Sequence, residues 1–129
     1  MAELVPGLRG TAETLAAADN TALALGSGDV PVYATPALVA LVERAAVNAL
    51  APHLAPGETT VGIRIELSHT AATPPGMAVR AEAELTAVEG RRLTFRLAAF
   101  DAREQIGEGQ HQRVLLRRDR FLAKLQEKG

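Results

Sequence analysis

The sequence predicts an α+β fold in which an antiparallel β-sheet wraps around one central α-helix. The first observation is a nearly all-apolar segment with helical periodicity at about residues 36–50. The second is that four segments with strand periodicity follow it. A helix and a sheet arranged in this order bury their apolar sides against each other. Since the chain has 129 residues, we expect a single domain over residues 1–129.

The central helix is predicted to begin at Thr35-Pro36, where a residue that commonly caps helices precedes proline at the first helical position. Its apolar residues share one broad face: Leu38, Val39, Leu41, Val42, Ala45, Ala46, Ala49 and Leu50. Glu43 projects between members of this face. We expect its carboxylate either to be desolvated among them or, as in an ordinary helix glutamate, to reach water.

The periodicity changes to two-residue alternation after Pro56-Gly57. The predicted strands are a weak one at residues 11–18 and strong ones at Val61–Leu67, Met77–Ala87, Leu93–Ala99 and about 104–117. His69 continues the apolar parity of the first strong strand. Gly107 and Gly109 predict a bulge or a close backbone approach in the last. A helix is predicted at residues 118–127, with Phe121, Leu122 and Leu125 directed inward.

This order of elements is typical of the hotdog fold. A sheet of this type has open edges, and two copies commonly pair through such edges. We therefore expect at least a homodimer.

Composition and missing motifs exclude several classes of protein. With 14 Lys and Arg against 15 Asp and Glu, the chain offers no broad positive field for nucleic acid or an anionic membrane. The absence of cysteine excludes disulfides, thiolate metal sites and a cysteine nucleophile. His53, His69 and His111 lack metal-ligand spacing, so we expect no metal and no cofactor. Without a signal-peptide pattern or a long apolar run, the expected location is cytoplasmic.

Three polar residues of the predicted elements are candidates for catalysis. Thr35 begins the central helix, Glu43 lies within it, and His69 ends the first strong strand. Glu43 is a candidate base or nucleophile if burial raises its proton affinity. His69 precedes the rigid turn at residues 73–76, as either a hydrogen-bonded core histidine or a catalytic group. Thr35 is a candidate helix cap as well as a catalytic hydroxyl. Thr35 and Glu43 are separated by about 12 Å along a helix, so joint action needs His69, substrate or a partner subunit between them.

Thr35, Glu43 and His69, together with the segments LSHTAATPPG at residues 67–76 and VEGRRL at residues 88–93, resemble the fluoroacetyl-CoA thioesterase family of hotdog enzymes. The similarity runs from about residue 10 to residue 125. It implies that Thr35, Glu43 and His69 form the catalytic set. It also implies that Gly62 lies at the acyl end of the substrate and that Arg113 lies near the site.

The resemblance predicts an acyl-CoA thioesterase. Enzymes of this family cover the pocket with lid phenylalanines ahead of the threonine. Here Gly26-Ser27-Gly28-Asp29 stands in that place, and Tyr33, a candidate substrate contact, is the only nearby aromatic residue. The hydrophobic cover is therefore expected to be missing, which predicts a broader short-chain acyl specificity that includes fluorinated groups. The nucleophile is left open between Glu43, Thr35 and water.

Two other aspects of function stay open at this level. The arginines at residues 113, 117, 118 and 120, or those at residues 91 and 92, are candidate contacts for the coenzyme A phosphates. The main alternative function is a hotdog domain that binds acyl-CoA or another apolar ligand without turnover. A purely structural dimerisation module is the third.

Overall fold

The computed structural model describes residues 3–129 and contains five strands and three helices. The strands are β1 (Arg9–Leu15), β2 (Glu58–His69), β3 (Ala78–Glu89), β4 (Arg92–Asp101) and β5 (Gln105–Arg117). The helices are α1 (Ala22–Leu25), α2 (Thr35–Leu50) and α3 (Arg118–Lys128), with short 3₁₀ turns at Ala18–Asn20 and Ala51–His53.

All strands pair antiparallel in one sheet, in the order β1-β3-β4-β5-β2. The sheet curls around α2, which packs mainly against β1 and β3. The predicted α+β hotdog architecture is therefore confirmed. Strands β1 and β2 form the two edges of the sheet.

The hydrophobic core lies between α2 and the concave face of the sheet. The face of α2 that faces it matches the predicted one, with buried residues Leu38, Leu41, Val42, Ala45, Ala46, Ala49 and Leu50. Strand β1 crosses this helix so closely at Gly10 that a side chain there would collide with the backbone of Ala45 and Ala49. Small residues in the helix and strand thus let the elements approach, which positions α2 against the sheet.

Strand β2 contains a β-bulge that strict alternation does not anticipate. Gly62 pairs with Arg113 on β5, but the next paired residue of β2 is Arg64, so Ile63 is the extra residue. Ile63 was predicted on the buried face and is 51% exposed. The bulge is the physical reason, because one additional residue exchanges the inward and outward positions of the strand.

Other differences from the predicted elements lie near the ends of the chain. The first strand begins and ends earlier than predicted, at Arg9–Leu15, and helix α1 was not predicted. Helix α3 exists, but Leu122 and Leu125 are 49% and 53% exposed, so the prediction that they are directed inward is wrong within one chain. At Gly109 the prediction of a close approach holds, because a Cβ atom there would overlap the carbonyl of Glu66.

Candidate active site

The hydroxyl of Thr35 and Nδ1 of His69 are joined by a hydrogen bond of 2.7 Å. Thr35 was expected to cap helix α2. The cap position is occupied by Ala34 instead, and Thr35 is the first helical residue. Its hydroxyl makes no capping bond, which leaves it available to the imidazole at the end of β2.

The backbone around this pair is fixed by the turn that follows β2. The N–H of Tyr33 donates to the carbonyl of Thr73 over 3.0 Å. The Thr73 side chain is fully buried and its hydroxyl donates to Asp101 at the end of β4. The N–H of Thr70 donates to Ile106 on β5. These bonds tie the segment before Thr35 and the segment after His69 to the same part of the sheet.

One ring nitrogen of His69, Nε2, is buried without a hydrogen-bond partner among residues 3–129. Burial lowers the pKa of His69, because the charged imidazolium is less well solvated there than in water. A neutral imidazole with one nitrogen on a hydroxyl and the other unused is able to accept or pass on a proton. Unsatisfied buried polar atoms are rare in structures and often belong to functional sites.

The carboxylate of Glu43 lies beside two polar side chains of strand β5. Its Oε2 atom accepts a hydrogen bond from Nη1 of Arg113 over 3.2 Å and lies 3.6 Å from Nε2 of His111. Its side chain is 39% exposed in the single chain. Within the described chain the imidazole that faces Glu43 is therefore that of His111, and His69 bonds to Thr35 instead.

Arg113 is the residue that holds this second cluster together. It is only 6% exposed, and its Nε and Nη2 atoms donate to the hydroxyl and the carbonyl of Thr60. Its Nη1 atom donates hydrogen bonds to both Glu43 and His111. Burial lowers the pKa of Arg113, an effect that the Glu43 carboxylate opposes. Nε, Nη1 and Nη2 of Arg113 each donate to a group inside the protein, and its predicted contact with the coenzyme A phosphates stays a prediction.

Sequence reasoning missed His111 and Thr60 as members of this cluster. His111 was considered only as a metal ligand and set aside. A signal was present, since His111 and Arg113 are two residues apart on one strand and must share a face. What the sequence did not disclose is that α2 brings Glu43 onto that face.

Gly62 lies directly beneath the Glu43 carboxylate. A Cβ atom at this position would stand 2.5 Å from Oε2 of Glu43 and 3.1 Å from Cε1 of His111. No side chain fits there without displacing the carboxylate. The absence of a side chain at Gly62 therefore makes room for the Glu43 carboxylate, and its predicted place at the acyl end of the substrate stays a prediction.

The two clusters occupy different stretches of one helix. Thr35 begins α2, and Glu43 lies two turns further on, about 12 Å along the helix axis. One chain thus carries a hydroxyl–imidazole pair and, apart from it, a carboxylate held by a buried arginine. The separation is the one that the sequence predicted.

Comparison with known proteins supplies the family. A family model described as fluoroacetyl-CoA-specific thioesterase (FlK) matches residues 16–119. The chain belongs to the FlK family. The fluoroacetyl-CoA thioesterase of Streptantibioticus cattleyicolor is 48% identical over 97 residues, which cover 75% of this chain and 70% of that protein.

Solved structures agree with this assignment. A point mutant of FlK crystallised with acetyl-CoA is 39% identical, with a TM-score of 0.89 over 97% of this chain and 98% of that one. A hot-dog-like protein from Thermanaerovibrio acidaminovorans shares the fold at 22% identity, with a TM-score of 0.87 over 95% and 91% of the two chains. The resemblance inferred from the sequence is confirmed as family membership.

The segment ahead of Thr35 contains exposed apolar residues on both sides of its Gly26–Asp29 loop. Leu23, Leu25 and Val30 flank that loop and are 58%, 48% and 52% exposed. The predicted absence of a hydrophobic cover over the pocket stays a prediction. Tyr33 follows the segment but is buried in the core at 1% exposure, and burial raises its pKa to about 12.

Residues 3–129 contain no group of three or more His, Asp or Glu side chains arranged to hold a metal ion. In the same range, every helix is too short or too polar to cross a membrane.

Proposed function

We propose that this member of the FlK family, a thioester hydrolase by descent, hydrolyses the thioester of short-chain acyl-CoA substrates. The observation that carries the proposal is the hydrogen bond between the Thr35 hydroxyl and Nδ1 of His69, whose Nε2 atom has no hydrogen-bond partner among residues 3–129. Hydroxyl, imidazole and carboxylate are the groups that acyl transfer uses as nucleophile, proton carrier and base. The acetyl-CoA complex of a related FlK structure supports the substrate class.

The start of α2 offers the donors that a developing oxyanion requires. The first N–H groups of a helix have no partner within the helix, and the helix dipole makes them favourable to negative charge. Pro36 has no N–H, so the backbone donors of the first turn belong to Thr35 and Ala37. The thioester carbonyl placed there would be polarised beside the Thr35 hydroxyl. A thiolate then leaves without needing a strong acid, since its conjugate acid has a pKa of about 8.5.

Glu43 is proposed as the base that activates water or as the group that attacks the carbonyl. Arg113 keeps one carboxylate oxygen occupied, which leaves the other oxygen for water or substrate. The reaction consumes only the thioester and water and needs no resident cofactor. Hydrolysis through Thr35 remains the alternative route, in which His69 takes the hydroxyl proton.

A homodimer is proposed to bring the two clusters together, with Glu43 of the partner subunit approaching the Thr35–His69 pair. Two exposed apolar side chains border the Glu43 cluster and support this arrangement. Val47, one turn after Glu43 on α2, is 41% exposed, and Ile63 beside Gly62 is 51% exposed. Strand β2, which carries Ile63, is also an unpaired edge of the sheet. Covering this patch would remove solvent from Glu43.

We expect analytical ultracentrifugation of the purified chain to give the mass of two subunits. Replacing Ile63 with aspartate is expected to weaken this association and lower hydrolysis together, because a charge would be buried in the interface. The matched control is Val5→Asp, an exposed apolar residue ahead of β1 that is 45% accessible. A wild-type monomer with full activity would contradict the shared site.

The thioesterase assignment is tested at Thr35 with a panel of acyl-CoA substrates and a chromogenic thiol assay. Thr35→Val removes the hydroxyl but retains the shape, and kcat is expected to fall by about 100-fold. Thr35→Ser retains the hydroxyl and is expected to keep most of the activity. Tight acyl-CoA binding without thiol release by the wild-type chain would establish the binding module instead.

The panel also decides the acyl group. Leu23, Leu25 and Val30 supply an aliphatic rather than an aromatic surface ahead of Thr35, which favours tolerance of acetyl and slightly longer chains. We propose broad short-chain specificity, with fluoroacetyl-CoA among the substrates rather than the sole one. A preference for fluoroacetyl-CoA over acetyl-CoA by several orders of magnitude would contradict this part of the proposal.

A further inference from the structure

The side chain of His111 lies between the sheet and the Glu43 carboxylate, yet neither ring nitrogen faces open solvent. It is 1% exposed. Nδ1 lies 2.8 Å from the carbonyl oxygen of Arg64, directly after the bulge in β2. Nε2 lies 3.1 Å from Nη1 of Arg113, and the ring packs against that of Phe95 with centroids 6.0 Å apart.

These neighbours define the protonation state of the ring. A carbonyl oxygen only accepts, so Nδ1 must carry a hydrogen and donate to Arg64. A guanidinium only donates, so Nε2 must be unprotonated and accept from Arg113. His111 is therefore neutral, with its proton on Nδ1. Burial, which lowers its pKa, supports the same state.

The hydrogens of Arg113 are allocated accordingly. Nε and Nη2 donate to Thr60, which fixes one edge of the guanidinium plane. Nη1 has two hydrogens, of which one is directed to His111 and the other to Glu43. Without an acceptor at position 111, the Nη1 group would lose the partner that fixes the far side of the plane.

We propose that His111 is a positioning residue for the thioesterase reaction. It holds the Arg113 guanidinium in the orientation that presents an Nη1 hydrogen to Glu43. This inference rests on the proposed function, in which Glu43 is the base or nucleophile. His111 does not touch the substrate. It acts on the reaction through Arg113, and its effect depends on the unprotonated Nε2 atom.

Protonation of His111 would reverse its effect. An Nε2–H group would then face Nη1 of Arg113 at 3.1 Å with a hydrogen on each side. Two charged groups face the ring: Glu43 from α2 and Arg113 from β5 itself. The groups that reach it from β2 and β4, the Arg64 carbonyl and the Phe95 ring, are neutral. Acid is thus expected to release Arg113 from His111 and to leave the imidazolium, 3.6 Å from Oε2, in competition with Arg113 for Glu43.

The first test reads the ring directly in the full-length wild-type protein. Long-range ¹H–¹⁵N NMR of ¹⁵N-histidine-labelled protein distinguishes the two neutral tautomers from the imidazolium at each pH. We expect the His111 signals to show the Nδ1–H tautomer at pH 7 and to titrate below the ordinary histidine value of about 6.5. An Nε2–H tautomer or a charged ring at pH 7 would overturn the proposal, whether or not the protein hydrolyses acyl-CoA.

The second test compares two substitutions that separate hydrogen bonding from packing. His111→Gln retains one donor and one acceptor, whereas His111→Phe retains an aromatic ring against Phe95 and removes both polar atoms. We expect kcat to fall by about 100-fold in H111F with KM nearly unchanged, and to be largely restored in H111Q. The control is His53→Phe, a half-buried histidine in the turn after α2.

Stability gives a readout that does not depend on turnover. Since the folded pKa of His111 lies below its unfolded value, the unfolded chain binds a proton first as the pH falls. The contribution of His111 to the free energy of unfolding of the wild type should therefore have its full value above a pH of about 6.5 and decrease below it. The H111Q variant should show a shallower decrease. The positioning role would be refuted if the stability of the two proteins had the same pH dependence, or if a folded H111F variant kept the wild-type kcat. A wild type that is inactive on every acyl-CoA would refute only the proposed function.

Discussion

Replacing Glu43 with glutamine is expected to lower kcat for acyl-CoA hydrolysis by about 1,000-fold, the range typical for loss of a general base. Glutamine has the same shape and can still accept from Nη1 of Arg113, so the fold and the position of the side chain should persist. What is lost is the negative charge that activates water or attacks the carbonyl. Steady-state kinetics at pH 7.5 with acetyl-CoA, together with circular dichroism, would measure the effect.

The matched control is Glu13→Gln on β1, where the glutamate is exposed and lies at the opposite edge of the sheet. It should leave kcat and KM unchanged. If E43Q retained activity within a few-fold of the wild type while E13Q behaved identically, Glu43 would not be the catalytic carboxylate. The Thr35–His69 pair would then have to act alone.

Replacing Gly62 with alanine is expected to be nearly as damaging, although it adds only one methyl group. That methyl would lie 2.5 Å from Oε2 of Glu43 and 3.3 Å from Nη1 of Arg113, so the carboxylate must move. A displacement on the order of 1 Å at a reacting group lowers rates by about 100-fold. The loss should fall mainly on kcat, with a thermal unfolding midpoint close to that of the wild type, because Gly62 is at an exposed edge strand.

The double variant G62A/E43Q shows whether the methyl group acts through the carboxylate. If it does, the double variant should be about as slow as E43Q alone, because two changes to one interaction are not additive. Fully additive losses would place the effect of Gly62 elsewhere, for example on the substrate. An unimpaired G62A enzyme would show that the carboxylate is not fixed at this place during catalysis.

The fold was accessible from the sequence because its strongest signals are local. Helix α2 is nearly all apolar and begins at a threonine–proline pair, and the structure places it at Thr35–Leu50. The turn between β3 and β4 also carries a local signal, since Gly90 adopts a positive φ of 63° that favours glycine. The exact ends of the elements and the short helix α1 could not be predicted from the sequence, because tertiary contacts decide them.

The site was only partly accessible. That Thr35 and His69 belong together followed from the family motif, and the structure adds that they touch. The surroundings of Glu43 could not be read from α2 alone, because its neighbours Arg113 and His111 lie on a distant strand. A helical wheel reports which residues share a face, but it does not report what the opposing sheet presents to that face.

The extra residue at Ile63 has a consequence for how this strand tolerates change. Gly62 and His69 are seven positions apart, an odd interval that would normally send them to opposite sides of a strand. Both nevertheless point toward α2, because the irregularity between Gly62 and Arg64 corrects the phase. A one-residue deletion or insertion between them would turn either Gly62, which makes room for the Glu43 carboxylate, or the His69 imidazole away from the interior. Length variation in this stretch is therefore expected only in even steps or as compensating pairs.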